Sequence, residues 1–293
     1  MNNFDDIFDT AVPGEQPFDK DAWAERKQAE RQAVYDLADT TAADVCADGG
    51  KFHVYLDTQA HFDRYSVTNV LLIMAQMPAA TQIKDFEAWK AAGASIKRQQ
   101  KGFSILEPGN EYQREDGTIG TSYNAKKVFD ISQTTARLKI QPTVSTDERL
   151  LLKALIYHPP VPIQTVDELP GGAGALYDHE QQMIFVRRSM GAADIFRSVS
   201  MELAHAEIAT VDESYTRENV AFSAYCASYL LCKKYSVDVS SYDFSTLPDS
   251  LRDGDTQSQR AALTEIRDTA ANISARMSRA LDARSQQPKE QER

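Results

Sequence analysis

The chain has 293 residues, of which 42% are hydrophobic, and its 43 acidic and 32 basic side chains give a net charge of −11. At ~100–200 residues per domain this length predicts two domains, and no apolar run reaches the ~20 residues that a membrane span needs. The acidic start, MNNFDDIFDT, lacks the positive region of a secretory signal. Cys46, Cys226 and Cys232 form no CxxC pair, so we expect buried thiols in a protein of the reducing cytoplasm.

Charge is distributed unevenly along the chain. Residues 1–50 carry an excess of eight acidic side chains and residues 141–293 an excess of six, whereas residues 51–140 carry an excess of three basic ones. A local basic patch can bind phosphate whatever the total charge, so the middle segment is a candidate nucleic-acid-binding surface. The same small excess also suits an ordinary solvated surface.

The first half of the chain predicts an α+β domain, because capping residues and apolar helices precede two segments rich in Phe, Ile and Val. We predict, in chain order, a flexible acidic arm at 1–18, a helix from Asp19 to Cys46, a break at 47–52, helices at 64–77 and 81–93, a strand at 101–108, an exposed polar loop at 109–122 and a strand at 126–134.

The second half predicts a further α+β domain followed by a long helix, whose apolar residues recur at alternating steps of four and three. The predicted elements are a helix at 147–156, a strand at 161–166, a glycine-rich loop and hairpin at 169–188, helices at 191–210 and 216–237, an amphipathic helix at 256–283 and a disordered tail at 284–293.

The stretch FRSVSMELAHAEIA, from Phe196 to Ala209, is similar to the zinc-binding helix of a metallopeptidase, with one residue changed. In the pattern H-E-x-x-H two imidazoles lie one helical turn apart, and the glutamate is the general base. Here Glu202 and His205 are present, but Met201 stands at the position of the first histidine. Since a thioether suits Cu(I) better than Zn²⁺, the stretch predicts a degenerate zinc site, and an ordinary helix is the alternative.

The order of motifs in the first half resembles the N-terminal single-stranded-DNA-binding domain of ArdC-type antirestriction proteins. The matching marks are Tyr65-Ser66 followed by Asn69 and an apolar helix, then Pro78-Ala79-Ala80-Thr81, Trp89, a basic stretch, Lys101-Gly102 opening a strand, and the segment VFDISQT at 128–134. The hairpin and helices of the second half are similar to that family's zincin-like metallopeptidase domain. The resemblance covers about residues 50–240. It implies a DNA-binding domain at 19–140 and a zincin-like domain at 141–250.

The resemblance implies that single-stranded DNA binds the first domain, with basic side chains along the phosphates and aromatic rings stacked on bases irrespective of sequence. The candidate residues are Tyr65, Ser66, Asn69, Trp89, Lys97, Arg98, Lys101, Phe103, Lys126 and Lys127. Each residue also has an alternative interpretation as a structural or solvent-exposed residue. The two large rings Trp89 and Tyr65 suit core packing, Asn69 suits a local hydrogen bond, and the basic side chains suit a solvated face.

The resemblance also places a third metal ligand, a glutamate in the family, at Tyr225. Two of three ligand positions would then hold poor zinc ligands, so we expect no resident cofactor. Glu202 is expected to be a vestigial general base that pairs with a nearby arginine, and Met201, His205 and Tyr225 to be vestigial metal positions. We name Arg187, Arg188 and Arg197 as the arginines available for that pairing. The alternative is a zinc site that recruits His179 or an acidic residue.

The sequence therefore predicts a non-enzymatic protein of a mobile genetic element that binds single-stranded DNA without sequence preference and carries an inactive zincin-like domain. The resemblance implies that such a protein protects transferred DNA from restriction. One alternative is an active, DNA-dependent zinc metallopeptidase. Another is a protein-interaction module, which would contact a protein partner through the zincin-like domain or the helix at 256–283. No association with a membrane is predicted.

Overall fold

The computed structural model describes residues 19–114, 116–137 and 147–285. It confirms the predicted α+β class. The predicted acidic arm at 1–18 and residues 286–293 of the predicted tail lie outside the described residues. The elements in chain order are α1 (Lys20–Ala47), α2 (Gly49–His61), α3 (Val67–Gln76), β1 (Ile83–Lys84), α4 (Phe86–Ala91), β2 (Phe103–Gln113), β3 (Ile119–Asp130), α5 (Glu148–Leu155), β4 (Ile163–Val166), β5 (Ala175–Asp178), β6 (Met183–Arg187), α6 (Ala192–Ala209), α7 (Arg217–Lys234), α8 (Asp249–Arg252) and α9 (Thr256–Ser285).

Aspartate side chains fix the ends of the first two helices. Asp19 caps α1 by accepting hydrogen bonds from the backbone N–H groups of Asp21 and Ala22. Asp48 ends α1 and at once caps α2, so the break predicted at 47–52 is reduced to one residue. A Cβ atom at the first residue of α2, Gly49, would collide with the backbone carbonyl of Phe244, which explains the glycine.

The first sheet has the order β1-β3-β2 with antiparallel pairing, and it corrects two predictions. The strands β2 and β3 continue through most of the predicted loop at 109–122, because their backbones pair as far as Gln113 and Ile119. Backbone hydrogen bonds between β2 and β3 thus make this segment a hairpin in spite of its polar composition. The helix predicted at 81–93 is shortened to α4, since Ile83 and Lys84 pair with β3 instead.

Helix α3 closes the free edge of this sheet with two side-chain amides. Asn69 exchanges two 2.8 Å hydrogen bonds with the backbone of Leu106. Gln76, seven residues later, bonds the backbone N–H and C=O of Ser104 at 2.9 and 2.8 Å. The backbone groups that an edge strand would leave unpaired are satisfied in this way.

The second sheet has the order β4-β6-β5, and the predicted hairpin at 169–188 is confirmed as β5 and β6. Helix α6 packs on this sheet, and helices α7 and α9 pack on α6. One hydrophobic cluster runs from the first half of the chain into the second and includes Phe52, Leu71, Phe196 and Leu231. The boundary between domains at residue 140 stays a prediction. In the described part of the chain, no helix is long and apolar enough to cross a membrane.

Candidate functional site

Two aromatic residues predicted to stack on DNA bases lie inside the fold. Trp89 is 2% exposed, packs with Ala94 and Ile131, and donates a 2.8 Å hydrogen bond from Nε1 to the backbone carbonyl of Phe129. Phe103 belongs to the main hydrophobic core. Both rings are buried by packing, which disfavours the stacking role predicted for them.

The three candidates at the start of α3 are engaged in internal contacts. Ser66 caps the helix by accepting a hydrogen bond from the N–H of Asn69 at 3.3 Å. The amide of Asn69 is occupied by the backbone of Leu106, which favours a structural role over the predicted contact with DNA. Tyr65 is half-buried and meets Phe62 edge to face at 5.7 Å.

The two candidate lysines of β3 differ in their surroundings. Lys126 lies 2.8 Å from both Asp85 and Glu107, and these two hydrogen-bonded carboxylates raise the pKa of Lys126. Its charge is therefore compensated within the protein. Lys127 is exposed and donates a 2.7 Å hydrogen bond to the Ser104 hydroxyl, so its charge remains available to a ligand.

Three basic candidates remain together in the loop between α4 and β2, which we call the cationic loop: Lys97, Arg98 and Lys101, all exposed. None of the three forms an ion pair with another described residue. The backbone of the loop is held in place by Gln133. Its carbonyl accepts from Lys97 N–H at 2.9 Å, and its amide donates to the Lys101 carbonyl at 2.9 Å.

The β2–β3 hairpin carries exposed aromatic and apolar side chains that the sequence interpretation missed. Tyr112 is 50%, Ile119 is 69% and Tyr123 is 41% exposed. Ile119, Tyr123 and Lys127 lie an even number of positions apart on β3 and therefore share one face of the sheet. The period of two in this segment was the signal that could have revealed a strand within the predicted loop.

In the second half, the predicted general base Glu202 is fully buried and bound by two neighbours. Its Oε2 accepts hydrogen bonds from Tyr177 N–H at 2.7 Å and from Arg217 Nη1 at 2.8 Å. Its Oε1 accepts from Arg217 Nη2 at 2.7 Å. This bidentate pair joins α6 to β5 and to the first turn of α7. Both carboxylate oxygens are thus hydrogen-bonded within the protein, and neither is exposed to solvent.

The partner of Glu202 differs from the arginines predicted for it. Arg188 pairs with Asp167 at 2.8 Å, and Arg197 pairs with Asp194 and Asp238 at 2.5 and 3.3 Å. The hydrogen bonds to Glu202 are the main cause that raises the pKa of Arg217. The partner, Arg217, therefore comes from the N-terminus of the following helix, α7. No spacing pattern in the sequence indicated this pairing.

The single histidine of the altered motif, His205, is buried as a neutral imidazole. Burial is the main cause that lowers its pKa from 6.5 to about 4. Its Nδ1 lies 3.1 Å from the Tyr215 hydroxyl. His179, the predicted rescue ligand, is exposed in the β5–β6 turn, and its ring lies 5.0 Å from the ring of Tyr215. The Tyr215 side chain thus contacts both imidazoles.

The remaining vestigial metal positions are filled by packing. The Tyr225 hydroxyl accepts a 2.7 Å hydrogen bond from Asp243 N–H, and its ring meets those of Tyr242 and Phe244 at 4.8 and 5.4 Å. Met201 packs against the main core. Within the described ranges, no group of three or more His, Cys, Asp or Glu side chains is arranged to hold a metal ion. These side chains therefore do not fit a three-ligand zinc site.

The fold is similar to that of a solved antirestriction protein. The metal-free crystal structure of the antirestriction protein ArdC from the R388 plasmid matches with a TM-score of 0.50 and 16% identity over 73% of this chain and 86% of that chain. The Mn(II)-bound structure of the same protein matches with a TM-score of 0.48 and 17% identity over 73% and 85%. No family model and no curated protein matches the sequence. The ArdC-type resemblance is thus confirmed at the level of the fold.

Proposed function

We propose that the protein binds single-stranded DNA through the cationic loop and that its zincin-like half does not perform metal-dependent hydrolysis. The observation that carries this proposal is the presence of three exposed cations without ion-pair partners among the described residues, on a backbone fixed by Gln133. Cations that are not neutralised by the protein can replace the counterions of a phosphate backbone. Because the loop is already ordered, binding loses little backbone entropy.

A stacking surface for the bases is available on the β2–β3 hairpin instead of at Trp89 and Phe103. Tyr123 is exposed on the face that also carries Lys127. Single-strand binders combine an aromatic ring for the base with a nearby cation for the phosphate. We therefore assign Tyr123 as the stacking residue and Lys127 as an additional phosphate contact.

The wider role rests on analogy with the similar fold. We propose that the chain is an antirestriction-type protein of a mobile genetic element that acts in the cytoplasm. The protein-interaction alternative is less well supported. The apolar stripe of α9, which includes Ile266, Ile273 and Met277, is covered by the rest of the chain.

The cationic loop is tested by fluorescence anisotropy with a labelled oligo-dT strand and a duplex of the same length. We expect preference for the single strand, and affinity that falls as salt rises. The triple variant Lys97→Ala, Arg98→Ala and Lys101→Ala should reduce the slope of log K against log salt by about 2, because each phosphate contact contributes ~0.7. A triple variant with the same charge change on α5 and α9, at Arg149, Lys153 and Arg279, is the matched control.

Two results would contradict the proposal. If both triple variants lose the same slope, binding depends on total charge and not on the cationic loop. If wild-type protein purified without chelator carries near-stoichiometric zinc and His179→Ala removes it, the metallopeptidase alternative is favoured.

Tyr123→Ala should weaken oligo-dT binding by ~1–3 kcal/mol, the contribution of one stacked base.

A further inference from the structure

A cavity of about 260 Å³ lies between the end of α2, the last turns of α7 and the middle of α9. It exists because α9 presents small side chains there, while its large side chains point into the core on another face. The residues of α9 that line the cavity beside Arg267 are Ala270, Ala271, Ser274, Ala275 and Ser278. None of these small side chains is long enough to fill the space towards α2 and α7.

Part of the cavity lining is apolar. Leu230 and Leu231 of α7 and Ala270 of α9 line it, and all three belong to the main hydrophobic core. Burying an apolar group against this wall removes hydrocarbon surface from water. Part of any ligand here is therefore expected to be hydrocarbon.

The lining of the cavity also carries positive charge. Arg64, Lys234 and Arg267 line it together with a single carboxylate, Asp63. Asp63 and Lys234 lie 2.7 Å apart and compensate each other. The two arginines therefore set the charge that a ligand meets.

Both arginines have donor capacity that the protein does not use. Arg64 is exposed and forms no ion pair within the described part of the chain. Arg267 pairs with Asp268 through Nη1, whereas its Nε is buried and has no hydrogen-bond partner among the described residues. A buried donor without an acceptor is unfavourable, so an acceptor that reaches this nitrogen is bound preferentially.

We propose that this cavity is a binding site for a small organic anion, with a carboxylate-type headgroup on Arg267 and Arg64 and a hydrocarbon part against Leu230 and Leu231. The volume is below the ~300–1,000 Å³ range of sites for drug-sized ligands. A monocarboxylate with a short hydrocarbon chain fits this size. The site shares no residue with the cationic loop or with the altered metallopeptidase motif.

The test uses octanoate as the probe in isothermal titration calorimetry on the full chain. One molecule of octanoate should bind, at least tenfold more tightly than the neutral analogue 1-octanol. Ala271→Leu places a larger side chain in the cavity and should abolish binding. The same change at Ala261, an exposed position of α9 that does not line the cavity, is the matched control, and Ala261→Leu should leave binding unchanged.

Arg64→Gln provides a second variant at an exposed position, which keeps the test decisive if Ala271→Leu unfolds the protein. It should weaken octanoate at least fivefold while leaving 1-octanol unchanged. Equal affinity for octanoate and 1-octanol would overturn the assignment of an anion site. Absence of octanoate binding, or equal loss in the Ala271 and Ala261 variants, would overturn the cavity as the place of binding.

Discussion

The Glu202–Arg217 pair allows a quantitative test of the claim that the predicted general base is a structural residue. Glu202 is 0% exposed and Arg217 is 37% exposed. The substitution Arg217→Met keeps most of the side-chain volume but leaves the buried carboxylate with one hydrogen bond, from Tyr177 N–H. Removing one partner of a buried ion pair costs ~3–5 kcal/mol, and the partial exposure of Arg217 places this case near ~3 kcal/mol.

The reverse substitution is expected to be milder. Glu202→Gln leaves a cation that water can reach, and the new amide oxygen can still accept from Tyr177, so we expect a loss of ~1–2 kcal/mol. The double variant Glu202→Gln with Arg217→Met removes both charges. It should lose less than the sum of the two single variants by at least ~1 kcal/mol, because the charges interact directly.

The assay is urea unfolding followed by circular dichroism, with the free energy of unfolding obtained by linear extrapolation. Arg188→Met is the matched control, because the Arg188–Asp167 pair is 56% and 83% exposed and should contribute less than ~1 kcal/mol. The reasoning is refuted if Arg217→Met costs no more than this control. It is also refuted if Glu202→Gln costs more than Arg217→Met, since the asymmetry follows from burial.

Three further predictions concern stability. Because the pKa of His205 is lowered from 6.5 to about 4, the unfolded chain binds a proton between these values that the folded state does not. The free energy of unfolding in urea should therefore fall by ~2–3 kcal/mol from pH 7.5 to pH 4.5. The His205→Gln variant should lack this contribution to the pH dependence. Asn69→Ala leaves the paired backbone groups of Leu106 without partners and should cost ~2–4 kcal/mol in the same assay, against ~1 kcal/mol for Ser66→Ala. Ile273→Asp buries a carboxylate without a partner and should prevent cooperative thermal unfolding, and an unchanged melting temperature would contradict the buried position.

Local signals in the sequence located most of the helices and the second hairpin. Asp19 caps α1 where a helix start was predicted, α5 begins one residue after its predicted start at 147, and α9 begins at Thr256 as expected. These features depend on residues close together in the chain, so a short window contains the information. The extension of β2 and β3 through a polar segment depends on pairing between strands, and composition alone indicated a loop.

The candidate site was harder to predict, because its decisive contacts join distant residues. A tryptophan near basic residues suits both a core and a stacking surface, and the burial of Trp89 together with its hydrogen bond to Phe129 favours the core. Likewise Glu202 and Arg217 are separated by fifteen residues and lie on different helices. The sequence located the helix that carries the altered motif but could not identify the residue that compensates its buried charge.

The contacts around this motif form a consistent set. The altered motif retains a buried glutamate, and a buried carboxylate without a compensating charge is strongly unfavourable. Arg217 supplies that charge from the first turn of α7, Tyr225 uses its hydroxyl on the Asp243 backbone, and His205 stays neutral beside Tyr215. The Glu202 carboxylate is thus held by three hydrogen bonds, and the Tyr225 hydroxyl and the Nδ1 atom of His205 each have a partner within the protein. We therefore predict that Met201→His adds a second imidazole on the same face of α6 without releasing Glu202 from Arg217, so that a gain in metal binding would not by itself free the carboxylate to act as a base.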